Sequence, residues 1–283
     1  MLRATHTRGR IPYPPRAIML GINEIASAVG VRLHEAGFAV LMSHDPNPPV
    51  IRRGMAFFDA LYDDTVSIEG VSAVCVEDTT AARALLSHKN SVGVTRLPIN
   101  ELITIGEIDV LIDARMQKHA TTPDLRHLAS ITVGLGPGFT VGENCDVAIE
   151  TKPGQEGHTL ERGQTLAADG VSRMLGGLGR ERFVYSVCAG RWRTALDVGA
   201  RIFKGFPLGV LGSSVVTSPL DGILRGIARD DVDVPANVKL VEIDPRGRKA
   251  QWTGIDSRGS TIAEATTCAI VALRRVRARA AAH

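Results

Sequence analysis

Aromatic side chains are scarce in this chain: two Trp, three Tyr and seven Phe amount to 4% of 283 residues. A surface for single-stranded nucleic acid needs several such rings as stacking platforms, and the supply here is poor. Charge does not compensate. The formal net charge is only +3, too weak for an electrostatic nucleic-acid footprint. Much of that excess sits in the stretch LRRVRARAAAH, where Arg274, Arg275, Arg277 and Arg279 suit the end of a helix. No nucleic-acid partner is expected.

Other absences narrow the field further. Cys75, Cys145, Cys188 and Cys268 form no CxxC pair, so neither a zinc knuckle nor a thioredoxin-type site is indicated, and a reducing cytoplasm fits. Cys188, in YSVCAGRW, reads as a core cysteine. The eight histidines make no HxxH or HExxH, so no metal site is expected. There is no GxSxG, and no nucleophile or base set from which to name catalytic residues. No apolar run reaches the roughly 18 residues of a membrane span, so no membrane partner is expected. The opening MLRATHTRGRIPYPPR lacks the apolar segment of a secretory signal, and 1–15 reads as a flexible tail.

What is present is an ordinary globular composition, 44% hydrophobic and 22% charged, enough for a real core and for about two domains. From residue 16 to 150 apolar strands alternate with helices. AIMLG is a strand, NEIASAVGVRLHEAG a helix with apolar residues at helical spacing, and FAVLM the next strand. MAFFDALYD reads as a short helix, TVSIEGVSAVCVE as a hairpin or bent strand turning near Gly70, and DTTAARALLSHK as a capped helix. SVGVT, IDVLIDA, SITVG and CDVAIET follow as strands. Such alternation predicts a Rossmann-like, mostly parallel α/β sheet covered on both faces. Residues 151–195 are polar and glycine-rich and read as a connector, though short β segments with closely spaced turn residues already begin at Val184. Over 196–252, closely spaced glycine turns predict a small β-barrel or sandwich, and 257–283 a C-terminal helix with a capping box at Thr261 and Glu264.

The glycines of TVGLGPGFTVG raise the sharpest question. Four of them and a proline directly follow an apolar strand. Glycine permits positive φ and lets amides converge on an anion, while a bare corner rarely needs so many. The loop lies at the carboxyl edge, where open sheets bind ligands. At that edge too are Asp113 and Lys118 of IDVLIDARMQKH, the adjacent Arg52 and Arg53 with their forked donors, and the first turn at Gly21 and Glu24. That turn, GINE, lacks the GxGxxG fingerprint, so it reads either as a structural turn or as a dinucleotide-binding turn.

Together RLHEAGFAVLM, Arg52-Arg53, VSIEGVSA, DVLIDARMQK, VGLGPGFTVGENCDVAIET, SPLDGILRGI and KLVEIDPRG resemble the accessory protein family of selenium-dependent molybdenum hydroxylases, near the xanthine dehydrogenase accessory proteins. The resemblance runs from about residue 17 to 248, and GLGPGF followed by DVAIET is its most specific part. It implies that Asp113, Lys118, Gly134, Gly136, Gly138, Phe139, Glu150 and Thr151 carry the family pattern. The family's GAGD-like turn is GINE here, its Thr-Glu after the second strand is Ser43-His44, and its Asn-Thr-Gly is ADG at Ala168 to Gly170. VGARIFKGFPLGVLGSSVVTSPLDGILRG is also similar to a lipoyl/biotinyl-type hammerhead, but its hairpin GSSVVTSP has no lysine. No covalent lipoyl or biotin is therefore expected.

The resemblance implies a non-catalytic maturation factor for a molybdenum-containing hydroxylase or dehydrogenase. Its partners would be that client enzyme and an anionic ligand, either a molybdopterin-type cofactor or a nucleotide, with a homo-oligomer also open. Two alternatives stand beside it: an NAD(P)-dependent oxidoreductase, and a structural subunit of a larger enzyme. In the first reading Gly134, Gly136, Gly138 and Phe139 cradle phosphate, and Arg52, Arg53 or Lys118 balances its charge.

Overall fold

The structure, a computed structural model, describes residues 13–62, 65–118 and 122–280; most of the expected 1–15 tail and the last three residues of the expected helix lie outside it. The first domain holds β1 (Arg16–Leu20), α1 (Glu24–Glu35), β2 (Ala39–Ser43), β3 (Val66–Ile68), β4 (Val71–Cys75), α2 (Thr79–Leu85) and β5 (Val92–Thr95). It continues with α3 (Ile99–Leu102), β6 (Val110–Asp113), β7 (Ile131–Leu135), β8 (Val147–Ile149) and β9 (Thr159–Leu160). These strands form one sheet in the order β3-β4-β5-β2-β1-β6-β7-β8-β9. The β4-to-β8 block is parallel throughout, with β3 and β9 antiparallel at the edges. Strands buried on both faces explain the unbroken apolar runs of the sequence, such as AVLMS, every residue of which is buried.

Two features place the site. Chain order reverses between β1 and β6, the topological switch point at which open sheets form a crevice beyond their carboxyl ends. At that point Asn23 starts α1 by accepting from the Ile25 and Ala26 amides, while its own side chain donates to the Ala114 carbonyl at 2.7 Å. The first turn is thus seated directly on the end of β6. Gly21 permits this, since a Cβ there would lie 2.9 Å from the Ala114 oxygen.

The second domain comprises β10 (Phe183–Tyr185), β11 (Gly190–Arg193), β12 (Arg201–Ile202), β13 (Pro207–Leu211), β14 (Ser214–Thr217), β15 (Gly222–Ile227), β16 (Val232–Val234) and β17 (Lys239–Asp244). They make two antiparallel four-stranded sheets, β10-β17-β15-β12 and β14-β13-β11-β16, around a core centred on the fully buried Trp192. Finally α4 (Ser257–Ala280) returns to the first domain, where Ile262, Ala263 and Ile270 join the core of the parallel sheet. The expected class, a large mostly parallel sheet with antiparallel β structure and a C-terminal helix, is what the chain adopts.

Several local readings need correction. β10 and β11 belong to the short β segments expected from Val184 onward, so the β domain begins before the boundary expected at 196; in GRWRT the alternation buries only Trp192. Among the described residues of MAFFDALYD there is no α-helix: Phe57–Leu61 is a 3-10 turn, preceded by another at Arg53–Met55. Thr261 and Glu264 form no capping box, because α4 begins earlier, where Asp256 accepts from the Gly259 amide at 2.8 Å. Cys188 is exposed rather than core.

The β13–β14 hairpin turns at Gly212 and Ser213 and presents no amine. Intact-mass measurement of protein from cells competent in lipoylation and biotinylation should therefore return the unmodified chain mass. A lipoyl or biotinyl adduct on Lys204 or Lys239 would overturn this.

Candidate functional site, a cationic cleft between the domains

The carboxyl ends of the parallel strands face the β domain across a cleft of about 830 Å³, within the usual range of roughly 300–1,000 Å³ for small-molecule and cofactor sites. One wall is built by the loops after β1, β2, β6, β7 and β8, which contribute Gly21 to Ile25, Asp45, Asn47 to Arg52, Arg115 to Lys118, Pro137 and Glu150 to Pro153. The opposite wall is Arg182, Phe183, Tyr185, Lys239 and Glu242 of the β domain, with Asp256, Ser257 and Arg258 at the start of α4. Eleven lysines and arginines line the cleft against six aspartates and glutamates. That surplus of five exceeds the net charge of the whole chain, +3, so positive potential is concentrated here.

Glu242 organises the floor. Its side chain is 0% exposed, on a strand whose neighbours are apolar, and three arginines converge on it. Arg52 donates to it from Nε at 2.6 Å and Nη2 at 3.2 Å, Arg182 Nε lies at 3.2 Å, and Arg225 Nε at 3.6 Å. Burial works against the charge on Glu242, but these guanidinium groups outweigh it and hold the carboxyl below its ordinary range. Arg52 bridges the domains, since its Nη1 donates to Glu24 of α1 at 2.7 Å. Burial opposes its charge as well, and Glu242 and Glu24 prevail, raising its pKa. Arg225 completes the cluster by donating to Asp256 at 2.7 Å, though its Nε is buried without a hydrogen-bond partner.

Two lining cations differ from these. Lys239 is half-buried with its ammonium 3.8 Å from the centre of the Phe183 ring. Burial, together with Arg52 and Lys118, lowers its pKa to about 8 against the pull of Glu242 and Glu24. Arg258, also half-buried, donates only to the Thr151 carbonyl at 3.0 Å. Burial lowers its pKa too, with Glu24 opposing and Arg52 assisting.

Of the ten residues singled out from the sequence, Gly21, Glu24, Arg52 and Lys118 line this cleft. Asp113 stands one step back, buried, and holds Arg115 in the wall through bonds of 2.9 and 2.6 Å. Arg53 points the other way. It donates to the Ile227 carbonyl at 3.1 Å, to Asp59 at 2.6 Å and to Asp197, and so ties the domains together outside the cleft.

In the glycine loop only Pro137 lines the cleft. Gly134 is glycine because the Phe139 ring lies across it, 2.1 Å from where a Cβ would stand. Gly136 and Gly138 have φ of +89° and +91°, and the nearest atoms to their missing Cβ belong to Met116 and Thr151, and to Thr122. The close approaches of this loop are therefore to its own chain, and Met116 and Thr151 are themselves wall residues. Glu150 is committed locally: its carboxylate accepts from the Thr151, Lys152 and Leu166 amides.

Sequence reasoning did not single out Lys239, Glu242, Arg225, Arg182, Asp256 or Arg258. The available signal was a charged residue inside an apolar β run, Glu242 in KLVEID and Arg225 in GILRGI. Such a residue is rarely buried unless it is paired. The cation surplus of the lining fits a phosphate-bearing anion. Among the described residues there is no group of three His, Cys, Asp or Glu placed to hold a metal ion, and no helix is long and apolar enough to cross a membrane.

No protein-family model matches the chain. It is 30% identical over 266 residues to a protein of Escherichia coli K12 named "Uncharacterized protein YqeB". The match takes in 93% of this chain and 48% of that protein, so the chain spans about half the length of the curated relative it matches.

Proposed function

We propose that the protein is a maturation factor for a molybdenum-containing hydroxylase or related dehydrogenase, and that it binds an anionic pterin-type cofactor or a nucleotide in the interdomain cleft. The observation that carries this reading is the concentration of cations around a cofactor-sized cavity at the switch point of the sheet. The segments that resemble the accessory family supply both walls. Arg52 and DVLIDARMQK form one side, and KLVEIDPRG with SPLDGILRGI the other. In this reading Arg52, Lys118, Lys239 and Arg258 hold the anionic part, and Tyr185, Met116 and Pro137 offer the apolar surface a flat ring system would lie against. A molybdopterin-type cofactor supplies the metal and its redox chemistry to the client. The chain's own work is to bind it, orient it and screen it from solvent.

The test is identification of small molecules released from freshly purified protein by mass spectrometry, together with activation of an apo-form client hydroxylase. A pterin phosphate released in near-stoichiometric amount, and a client activated faster in the presence of the protein, are the expected results. Release of neither pterin nor nucleotide, with no effect on a client, sinks the reading. Tight NAD(P) binding with hydride transfer would replace it with an oxidoreductase.

A further inference from the structure

The strand β10 is an edge of its sheet, and its two faces do different work. Val184 packs on the core of the β domain. Phe183 and Tyr185, on the opposite face by the alternation of a strand, both line the cleft. In a chain with only 4% aromatic residues, two rings on one short strand are turned toward a cavity instead of a core. Their centres stand 6.2 Å apart, and cations cover both. Arg182 lies 4.3 Å and Lys239 3.8 Å from the centre of the Phe183 ring, and Arg180 lies 4.4 Å from that of Tyr185. All three cations line the cleft as well. A cation over a ring occurs about once in 70–80 residues, so three of them on the two rings of one strand mark a built surface.

The three cations are not held alike. Arg182 is buried and donates to Glu242 and to the Leu178 and Gly179 carbonyls, and Lys239 is half-buried. Arg180 is exposed, and among the described residues its guanidinium has neither a hydrogen bond nor an ion pair; it rests on the half-buried Tyr185 ring. The backbone before and after it is fixed, since Arg182 grips the carbonyls of 178 and 179 and the Gly179 amide donates to Glu181 at 2.8 Å. A planar group on a flexible stem therefore lies against a flat ring in the cavity wall, with nothing else to keep it there.

We propose that Tyr185 and Arg180 form a clamp for a flat, fused heteroaromatic ring that carries an anionic group. This deepens the reading of the cleft as a cofactor site and rests on it. The ligand ring lies on Tyr185, and the guanidinium, moved outward by one ring thickness of roughly 3.5 Å, covers its other face. Tyrosine and guanidinium planes both stack on heterocycles, so the clamp selects flat rings over saturated ones of the same size. The cation surplus of the cleft takes the anionic group. A pterin and a purine share this chemistry.

The probes are phenyl phosphate and cyclohexyl phosphate, equal in charge and similar in size, titrated into the full chain by calorimetry. The flat ring should bind about tenfold more tightly than the saturated one. Tyr185→Leu and Arg180→Lys should each remove most of that preference, and Tyr185→Phe should keep it. Nuclear magnetic resonance should show the bound phenyl protons shifted upfield in the parent and in Tyr185→Phe, and unshifted in Tyr185→Leu. Equal affinities for the two probes in the parent, or no saturable binding of either at millimolar concentration, overturns the clamp. Arg180→Lys alters an exposed side chain and keeps its charge, so it decides the matter even where Tyr185→Leu fails to fold: a preference it retains in full also overturns the clamp. Competition by guanosine monophosphate and by 6-carboxypterin against phenyl phosphate tells a purine occupant from a pterin, and displacement by neither refutes the ligand class. The two proposals fail separately: a flat-ring preference that follows Tyr185, with no pterin released and no client activated, leaves the clamp standing and removes the maturation role.

Discussion

Glu242→Gln should lower the stability of the fold by roughly 3–5 kcal/mol, the usual cost of removing one member of a buried ion cluster. Glutamine fills the same volume, so the loss is electrostatic. Arg52, Arg182 and Arg225 would face one another across a fully buried position with only Glu24 and Asp256 to balance them. Urea denaturation measures the difference directly. The parent should show a matching acid sensitivity. Glu242 has its pKa lowered in the folded state, so its contribution is complete above the ordinary carboxylate range and is lost as pH falls through the lowered value. The variant should lack that part of the acid transition. A loss of less than about 1 kcal/mol, ordinary for a surface change, would mean that the three arginines relax into solvent without Glu242.

Gly136→Val should abolish binding of phenyl phosphate while leaving a folded protein. At φ +89° a β-branched residue is strained, at a cost of about 1–3 kcal/mol, and its Cβ would stand 3.1 Å from both Met116 Sδ and Thr151 Oγ1. Both of those residues form the wall, and the Thr151 carbonyl accepts from Arg258. The damage passes from the glycine through its neighbours to the anion site. Lys118→Glu should act differently. Lys118 is an exposed wall residue, so its effect should be modest and should fade with added salt, as a screened charge does. If Gly136→Val has a native circular dichroism spectrum and binds phenyl phosphate as the parent does, the loop is only a corner.

The α/β half was legible because a buried parallel strand announces itself as an apolar run and a helix by its period. Both are local properties, and Ala39–Ser43 and Glu24–Glu35 show them clearly. The β domain was legible in outline only. The alternation in GRWRT signals a strand locally, but its partners do not: Trp192 pairs across to Leu211 and Val232, and no local window contains that pairing. The cleft was half legible for the same reason. Gly21, Glu24, Arg52 and Lys118 sit on loops whose position follows from strand order. Lys239 and Arg258 reach the site only once the second domain and α4 have docked. The glycine loop shows the limit of composition: its glycines signal close approach, yet Gly134, Gly136 and Gly138 approach Phe139, Met116, Thr151 and Thr122, and Gly142 approaches nothing.

The return of α4 to the parallel sheet has a consequence for how the protein comes into being. The β domain is threaded between the strands of the first domain and the helix that covers them. During synthesis, the face that Ile262, Ala263 and Ile270 seal must wait uncovered until some seventy residues of β structure, Phe183 to Asp256, have left the ribosome. The two domains are therefore not successive folding units. A fragment ending in the connector should expose apolar surface and aggregate, a nascent chain stalled there is a natural substrate for chaperones, and the anion cleft is completed in the same event that closes the core, by Asp256 and Arg258 at the head of the covering helix.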